Sequence, residues 1–478
     1  MNRDCSSHLI GLTDDPELPR YNYVRAVDYC SGVCLLIKTD IFHEIGGFDD
    51  DLAPSYCEDI DLCFRLRQRG LQILYNPKAL ITHHLSVTSD SLDKTHKLQC
   101  VTTNQQKLSE KWQEQIDELN RVRLIAFYLP QFHPIPENDQ WWGKGFTEWR
   151  NVVEARPNFI GHYQPRLPAD LGFYDLRVEE VMEQQAELAK RYGIYGFCYY
   201  YYWFHGKRLL EVPLDRMLET NKPDIPYCLC WANENWTRKW DGHEQDILIA
   251  QEHSDQDDRS VILDIIRFMT HRKYIRIHGK PLLLIYRVTQ FPDIKRTTDI
   301  WRDICRKEGV GEIYLAMVES FEHAYAKEHP SKYGFDASVE FPPHGTDAPI
   351  EPPGMLLNPQ FSGSINDYRE LVLKYMRRDV ADYMRFRTVL ASWDNTARQQ
   401  NNPFIFAYAS PGAYQAWLEA IIQQTREQNS SDDRIVFINA WNEWAEGAYL
   451  EPDLRFGHAY LEATRNALER RYFCNERK

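Results

Sequence analysis

The sequence predicts an α/β protein whose larger part is a (β/α)8 barrel, a TIM-like fold, preceded by a partial α/β unit. From residue 123 onward, short apolar runs alternate with longer amphipathic stretches, and polar and aromatic residues follow each run. Strands that alternate with helices indicate a parallel sheet, and eight such units over about 350 residues are typical of a closed barrel with long loops. A doubly wound open sheet is the alternative, although no glycine-rich phosphate turn follows any run.

The eight predicted strands are four to six residues long and rich in β-branched and aromatic residues. They are Leu124–Tyr128, Ile194–Tyr199, Tyr227–Trp231, Leu282–Tyr286, Ile313–Val318, Ala337–Glu340, Thr388–Ala391 and Arg434–Asn439. Helices are expected between most of them, at Val178–Tyr192, Asp257–His271, Asp299–Glu308, Tyr368–Asp379 and Pro411–Gln428.

Length and composition set the broad class. A chain of 478 residues exceeds one ordinary core, and we expect a first unit over residues 1–90, a helical linker over 91–122 and the barrel over 123–478. Hydrophobic content of 43% and charged content of 26% are typical of a globular protein. The net charge of -14 argues against nucleic-acid binding, which needs a basic face.

The cysteines and the hydropathy of the chain indicate the cellular compartment. The 11 cysteines show no paired zinc-type spacing, and Cys198, Cys228 and Cys230 fall in apolar runs, which indicates buried thiols in a reduced protein. No signal peptide opens the chain and no apolar run is long enough to cross a bilayer. We therefore expect a cytoplasmic protein, with any membrane association peripheral and at the inner face.

The first unit contains four connected motifs. An Asp-Tyr-Cys-Ser-Gly stretch from Asp28 leads into an apolar strand, and a Gly-Gly-Phe-Asp-Asp turn ends a short helix that begins near Thr39. An acidic helix then runs from Glu58 to Arg67, and two histidines close the unit at His83. The linker should be helical from Asn104 to Leu119, with an apolar stripe at Leu108, Trp112, Ile116 and Leu119.

Together, these motifs resemble the carboxyl-terminal half of a family 2 glycosyltransferase of the GT-A type. The resemblance implies that Asp59 is the base that deprotonates the acceptor hydroxyl and that His83 or His84 ligates a divalent metal. The nucleotide-binding half of that family, with its metal-binding DxD motif, should precede this segment and has no room here. We therefore expect vestigial roles for Asp59 and His83, and a metal only if a complete GT-A unit is assembled.

Acids, amides and aromatic rings follow the predicted barrel strands, and the carboxyl ends of barrel strands carry the active site. Any one of these residues can equally be a cap over the barrel or a salt-bridge partner. As a group they predict a sugar-binding cleft. The candidate substrate-binding residues are Tyr128, Gln131, His133, Trp142, Glu148, Trp149, Tyr200, Trp203, His205, Trp231, Asn233, Trp236, Arg287, Glu340, Trp393, Asp394, Trp441, Asn442 and Trp444.

The most informative stretch is Trp441-Asn442-Glu443-Trp444-Ala445-Glu446-Gly447, directly after the last strand. Two carboxylates three residues apart suit glycosidic-bond chemistry, in which one acid protonates an oxygen and the other assists from the opposite side. The flanking indoles could stack on a sugar. The structural alternative is a helix N-terminus with acids in its first turn and tryptophans in the core.

This region resembles the WbsX-type glycosyltransferase domain, itself similar to glycoside hydrolase family 99. The resemblance spans about residues 123–460 and is carried by four motifs: Ala126 to His133, Trp142 to Trp149, Trp231 to Trp236, and Trp441 to Gly447 continuing to Glu451-Pro452. The likeness to family 99 implies that Glu443 is the base acting on the 2-hydroxyl of the substrate and that Glu446 is the general acid. Ala445 departs from that family, which has a histidine there, so the substrate and the direction of reaction stay open.

Glu234, in an Asn-Glu-Asn-Trp motif after the third strand, is an independent candidate catalytic acid. The predicted function is to cleave or transfer glycosidic bonds in bacterial surface polysaccharide (O-antigen or capsule) metabolism. The expected partners are a glycan or lipid-linked oligosaccharide and, for transfer, a nucleotide-sugar. No cofactor is expected in the barrel, because no cluster of side chains has metal-ligand spacing.

Three alternatives to this function remain. They are an endo-acting hydrolase of mannose-type glycans, a non-catalytic glycan-binding module, and a scaffold for a separate transferase half.

Overall fold

The computed structural model of the chain describes residues 24–27, 29–82, 94–119, 121–238, 243–321 and 328–469. The chain divides into two compact units, residues 1–122 with 424–434 and residues 123–423 with 435–478. Within the described ranges, no helix combines the length and apolar character that crossing a lipid bilayer requires.

The larger unit is a closed barrel of eight parallel strands, as the sequence predicted. In chain order these are β1 Arg123–Tyr128, β2 Gly196–Phe204, β3 Tyr227–Trp231, β4 Lys280–Ile285, β5 Tyr314–Glu319, β6 Ala337–Glu340, β7 Arg385–Leu390 and β8 Ile435–Asn439. Each strand pairs with its neighbours in sequence, and β8 closes the barrel on β1, with Val436 opposite Leu124. The open-sheet alternative is therefore wrong.

Helices follow seven of the eight strands within the described ranges. The helices of this unit are Pro136–Trp142, Trp149–Glu154, Glu179–Arg191, Val212–Thr220, Asp255–Met269, Ile294–Lys307, Tyr368–Met376, Pro411–Gln428 and Ala459–Glu469. Local sequence explains their starts: the Ser254 hydroxyl accepts a hydrogen bond from the Asp257 amide (3.1 Å), and Asp293 accepts one from the Arg296 amide (3.0 Å).

Aromatic side chains fill the barrel interior near its carboxyl end. Phe127 stacks on Tyr200 at 5.8 Å between ring centroids and meets the rings of Phe341 at 5.2 Å and Phe437 at 5.5 Å. Rings of this size bury a large apolar area and fix one another's orientation. They form a rigid floor beneath the residues that follow the strands.

Short additional strands decorate the loops. Trp236–Arg238 pairs antiparallel with His243–Ile249, and Ser364–Asp367 pairs parallel with Phe404–Ala407. Lys207–Leu209 extends β2 as an antiparallel pair, and Arg276–Ile277 does the same for β4. The sequence did not predict these pairs, which lie in the long loops of the barrel.

The smaller unit contains the helices Thr39–Glu44, Glu58–Gln68 and Lys94–Leu119, and a two-stranded ladder of Arg25–Ala26 with Leu74–Tyr75. The predicted stripe is confirmed at Leu108, Trp112 and Ile116, which are buried against a cluster that includes Ile60 and Phe64. The long helix begins ten residues before its predicted start at Asn104. Asp61 is fully buried and accepts hydrogen bonds from Trp112 Nε1 (2.7 Å) and Arg65 Nε (2.7 Å).

Candidate active site

The turn that carries the two glutamates is a very small β-hairpin. Asn442–Glu443 pairs antiparallel with Ala448–Tyr449, and a single 3-10 turn, Trp444–Glu446, connects them. The pair therefore does not begin an α-helix, although the tryptophans of that alternative are buried in the core as it predicted. Gly447 closes the turn at φ +60°, a left-handed conformation that favours glycine. The hairpin holds both carboxyl side chains directly after β8.

Loops from elsewhere in the barrel fix this hairpin by its backbone. The Gly447 carbonyl accepts hydrogen bonds from Arg166 Nη1 (3.0 Å) and from the Ser392 hydroxyl, and the Asp394 amide donates to the Glu446 carbonyl (2.7 Å). The buried carboxylate of Asp394 is bound in turn by His162 Nε2, 2.7 Å away. Burial alone would raise the pKa of Asp394, but His162, Arg166 and Thr396 hold it well below its usual range, so this carboxyl stays ionised.

Arg398 joins three glutamates from two parts of the barrel. Its Nε donates to Glu148 Oε1 (2.6 Å), its Nη2 to Glu443 Oε2 (3.2 Å), and its Nη1 to Glu446 Oε1. Glu148 precedes the helix Trp149–Glu154, Arg398 follows β7, and the pair follows β8. A planar guanidinium has nitrogen donors in a fixed fork, so this contact fixes the spacing of the two carboxyl groups.

The two members of the pair differ in their surroundings. The side chain of Glu443 is 6% exposed and that of Glu446 is 22% exposed. Burial, reinforced by the charges of Glu446 and Glu148 and opposed by Arg398, raises the pKa of Glu443 well above its ordinary value. Two adjacent carboxyl groups in different surroundings are an arrangement that acid–base catalysis uses.

Two buried tyrosines lie within electrostatic reach of Glu443. Tyr200 and Tyr202 lie on β2, and burial together with the charge of Glu443 raises the pKa of both phenols. Gln131 donates through Nε2 to the Tyr202 hydroxyl at 2.9 Å. These polar groups surround Glu443 with hydrogen-bonding side chains suited to sugar hydroxyls.

Glu234 lies near the Glu443–Glu446 pair but is bound by a different arginine, Arg287. Arg287 Nη1 donates to the Glu234 carboxylate. Asn233 Nδ2 donates to the Arg287 carbonyl, and Asn233 Oδ1 accepts from the Arg287 amide, both at 2.8 Å. Burial, then the charges of Glu234 and Glu446, raises the pKa of Tyr286. Tyr286 is therefore within electrostatic reach of both acids, and the mouth of the barrel carries two separate arginine–glutamate groups.

Most of the predicted stacking residues are buried in packing contacts. Trp441 and Trp444 are 0% and 2% exposed, and Trp444 stacks on Tyr449 at 3.9 Å. The expectation that these indoles stack on a sugar is corrected by their burial. Trp149, Trp203, Trp231, Trp393 and Tyr128 are also buried.

A few of the predicted ring residues remain partly or fully exposed. Trp142 and Trp236 keep part of their surface exposed, and His205 is exposed. Trp236 packs in an edge-to-face arrangement with Tyr202 and with Trp141, with ring centroids 5.3 Å and 5.9 Å apart. An aromatic rim of Trp141, Trp142 and Trp236 therefore remains partly open to solvent.

Other predicted residues hold the structure together. Asn442 bonds both backbone groups of Leu129, at 2.7 and 3.0 Å, and so ties the hairpin to the loop after β1. Burial lowers the pKa of His133 to about 4, so the ring is neutral at pH 7. The carboxylate of Glu340 is fully buried and is bound by Arg387 Nε (2.9 Å) and Arg378 Nη1 (3.0 Å), an ion cluster that includes none of the other predicted site residues.

In the smaller unit, Asp59 accepts hydrogen bonds from the backbone amides of Gly32 and Ile60, both at 2.8 Å. Its carboxylate therefore fixes the turn that contains Gly32. His83 and His84 lie outside the described residues. Within those residues, no group of three or more His, Cys, Asp and Glu side chains is arranged to hold a metal ion.

Sequence reasoning missed Arg398, Arg166 and His162, although Arg398 lies only three residues after the motif Trp393-Asp394-Asn395. It also gave no role to Glu451. This buried carboxylate accepts hydrogen bonds from Gln185 Nε2 (2.6 Å), Trp444 Nε1 (2.7 Å) and Tyr174 (2.8 Å). Burial, only partly opposed by these bonds, raises the pKa of Glu451 to about 7.

The fold and the site place the larger unit in the class of (β/α)8-barrel proteins that carry paired glutamates directly after the last strand. The chain belongs to the WbsX glycosyltransferase family: residues 124–464 match the family described as Glycosyltransferase WbsX. Residues 14–106 match the Glycosyltransferase like family 2.

Among curated relatives, the uncharacterized protein WxcX of Xanthomonas campestris pv. campestris is 51% identical over 348 residues, covering 73% of this chain and 50% of that protein. The chain thus spans about half the length of this relative. An N-acetylglucosaminyl-diphospho-decaprenol L-rhamnosyltransferase of Mycobacterium tuberculosis is 42% identical over 60 residues, 13% of this chain and 19% of that one. The GH99 endo-alpha-mannosidase of Bacteroides thetaiotaomicron is similar in structure, with a TM-score of 0.45, 14% identity, and coverage of 72% of this chain and 96% of that one.

Proposed function

We propose that the barrel makes or breaks glycosidic bonds in bacterial surface polysaccharide metabolism, with Glu443 and Glu446 as its acid–base pair. The observation that carries this proposal is the contact of both carboxyl groups with different nitrogens of Arg398. Glycosidic chemistry needs one carboxyl group that holds a proton and a second that is ionised and close by. The two glutamates, both bound to Arg398 but one more buried than the other, support this pairing.

The substrate is proposed to be a glycan or lipid-linked oligosaccharide. The aromatic rim of Trp141, Trp142 and Trp236 supports a sugar substrate, because flat apolar rings pack on sugar faces while tyrosine and glutamine side chains bond hydroxyl groups. A WbsX-type glycosyltransferase would act at the cytoplasmic side, peripheral to the inner membrane, where such glycans are assembled. A nucleotide-sugar is the corresponding donor.

An endo-acting hydrolase of mannose-type glycans is the second candidate, and one observation favours it. The arginines of the two groups at the barrel mouth, Arg398 and Arg287, are both bound to glutamates. Cations neutralised in this way are poorly suited to a nucleotide diphosphate, whereas water or a sugar hydroxyl can complete a glycosidase reaction without any phosphate contact.

The deciding experiment is a mass-spectrometric assay of the full chain with surface polysaccharide fragments, with and without nucleotide-sugars, beside Glu443→Gln and Glu446→Gln. Removing an acid or base should lower turnover by about 100-fold or more. Shortened glycans without a donor would support the hydrolase, and donor-dependent extension would support the transferase. Turnover retained in both variants would refute the role of Glu443 and Glu446 as the acid–base pair. A glycan that is bound but not changed under any condition would support a non-catalytic glycan-binding module.

A further inference from the structure

Glu451 is a buried carboxyl group that holds the turn between Glu443 and Glu446 by its first residue. Its Oε2 accepts a hydrogen bond from Trp444 Nε1 at 2.7 Å, and Trp444 begins the 3-10 turn that ends at Glu446. The same indole stacks on Tyr449, with 3.9 Å between the ring centroids. A ring that is bonded at its nitrogen and stacked on its face restricts the backbone from which both glutamates extend.

Two further donors connect this carboxyl group to other parts of the barrel. Gln185 Nε2, on the helix Glu179–Arg191, donates to Oε1 at 2.6 Å, and the Tyr174 hydroxyl donates to Oε2 at 2.8 Å. Gln185 is fully buried, and its own Oε1 accepts a hydrogen bond of 2.6 Å from the Tyr128 hydroxyl at the end of β1. Glu451 therefore joins the hairpin to β1 and to the helix that precedes β2.

We propose that Glu451 is a positioning residue for the reaction proposed above. By holding the Trp444 indole in place relative to β1 and its helix, it sets where Glu443 and Glu446 lie. This inference rests on the proposed function. Because Glu451 is only 2% exposed, it acts through Trp444 rather than on the substrate.

The indole needs an acceptor at this position. An indole nitrogen can only donate, and a buried donor without an acceptor is unfavourable, so the turn would shift if Glu451 offered none. A shift on the order of 1 Å in a catalytic group can lower turnover about 100-fold. Glutamine keeps an oxygen acceptor, and since the donors to Glu451 are neutral groups it breaks none of their bonds to a cation. Leucine has a similar size and keeps no acceptor.

Kinetics of the full chain on surface polysaccharide fragments test this role. Glu451→Leu should lower kcat about tenfold or more and leave KM within about two-fold, because the aromatic rim is untouched, and Glu451→Gln should recover most of kcat. Trp112→Phe is the matched control, since it breaks a similarly buried indole–carboxylate bond, to Asp61 at 2.7 Å, and should leave kcat unchanged. An unchanged kcat in Glu451→Leu, or a loss that Glu451→Gln does not recover, would overturn the inference.

Trp444→Phe removes the same bond from its other end and keeps a ring against Tyr449. It therefore provides the test if Glu451→Leu does not fold. We expect the same fall in kcat at a nearly constant KM, and a kcat equal to that of the wild type would overturn the inference.

Amide hydrogen exchange of the hairpin tests the positioning without depending on turnover. The Gly447 amide donates to the Trp444 carbonyl at 3.0 Å and so reports on the turn. Its exchange should accelerate in Glu451→Leu and return toward the wild-type rate in Glu451→Gln. Unchanged exchange in Glu451→Leu would overturn the inference even where turnover falls. Turnover retained in Glu443→Gln and Glu446→Gln would instead refute the proposed function alone.

Discussion

At the scale of single residues, Gly447 shows how closely the hairpin that carries Glu443 and Glu446 is packed. A Cβ atom at this position would lie 3.0 Å from Arg166 Cζ and 3.1 Å from Asp394 Cβ. These are the residues that bind the hairpin by its backbone. Sequence reasoning placed both glutamates correctly after a strand, but it could not foresee this packing, because the partners come from distant loops.

We predict that Gly447→Ala lowers both stability and turnover. The left-handed conformation costs an alanine about 1 kcal/mol, and displacement of Arg166 and Asp394 adds to that cost. Gly457→Ala is the matched control, since Gly457 has φ +51° and nothing within 4 Å of its added Cβ. Urea denaturation and glycan turnover should show a larger effect at 447 than at 457, and equal effects would contradict the packing argument.

Glu451 offers a pH prediction with a defined sign. Its pKa is raised from 4.5 to about 7 in the folded protein, so the folded state binds the proton more tightly than the unfolded state does. Stability from this group is therefore present below pH 4.5 and is lost as the pH rises to about 7, by an amount on the order of 3 kcal/mol.

Glu451→Gln removes this titration. Relative to wild type, the variant should become more stable as the pH rises from about 4.5 to about 7, measured as the difference in unfolding free energy. Taking the difference cancels the opposite contribution of buried histidines such as His133 and His253. The stability that these neutral histidines contribute is lost as the pH falls from 6.5 to about 4. A difference that is independent of pH would contradict the assignment.

At the scale of elements, the sequence predicted all eight barrel strands within a few residues. Their continuous apolar runs are characteristic of strands buried on both faces. The main discrepancy is β2, which continues to Phe204, so Tyr200 to Trp203 lie within the strand rather than after it. The loop strands escaped prediction because two- to seven-residue pairs depend on tertiary contact more than on local composition.

The long helix Lys94–Leu119 offers an element-scale prediction. Trp112→Phe keeps a ring against Phe64 but leaves the buried Asp61 carboxylate without one donor, at a cost of about 1–3 kcal/mol. Amide hydrogen exchange of this helix should accelerate accordingly. Gln106→Ala, which removes an exposed hydrogen bond to Glu110, is the control and should leave exchange nearly unchanged. Unaltered exchange in Trp112→Phe would show that the indole bond contributes little.

At the scale of the whole molecule, the chemistry is expected to reside in the larger unit. Asp59→Asn preserves an acceptor oxygen for the turn at Gly32 and should therefore leave the smaller unit folded. We predict glycan turnover within about two-fold of wild type for this variant, against the large loss expected for Glu443→Gln. A loss of tenfold or more would show that the smaller unit takes part in the reaction.

The closed topology also determines when the proposed acid pair can assemble during synthesis. Glu148 and Arg398 are 250 residues apart in the chain, and both leave the ribosome before Glu443. β8 is the strand that seals the barrel against β1, and the hairpin follows it directly. A nascent or truncated chain that stops short of β8 therefore has an arginine without its acid pair and two unpaired strand edges open to aggregation. Both the proposed acid pair and the closure of the barrel therefore depend on β8 and the hairpin that follows it.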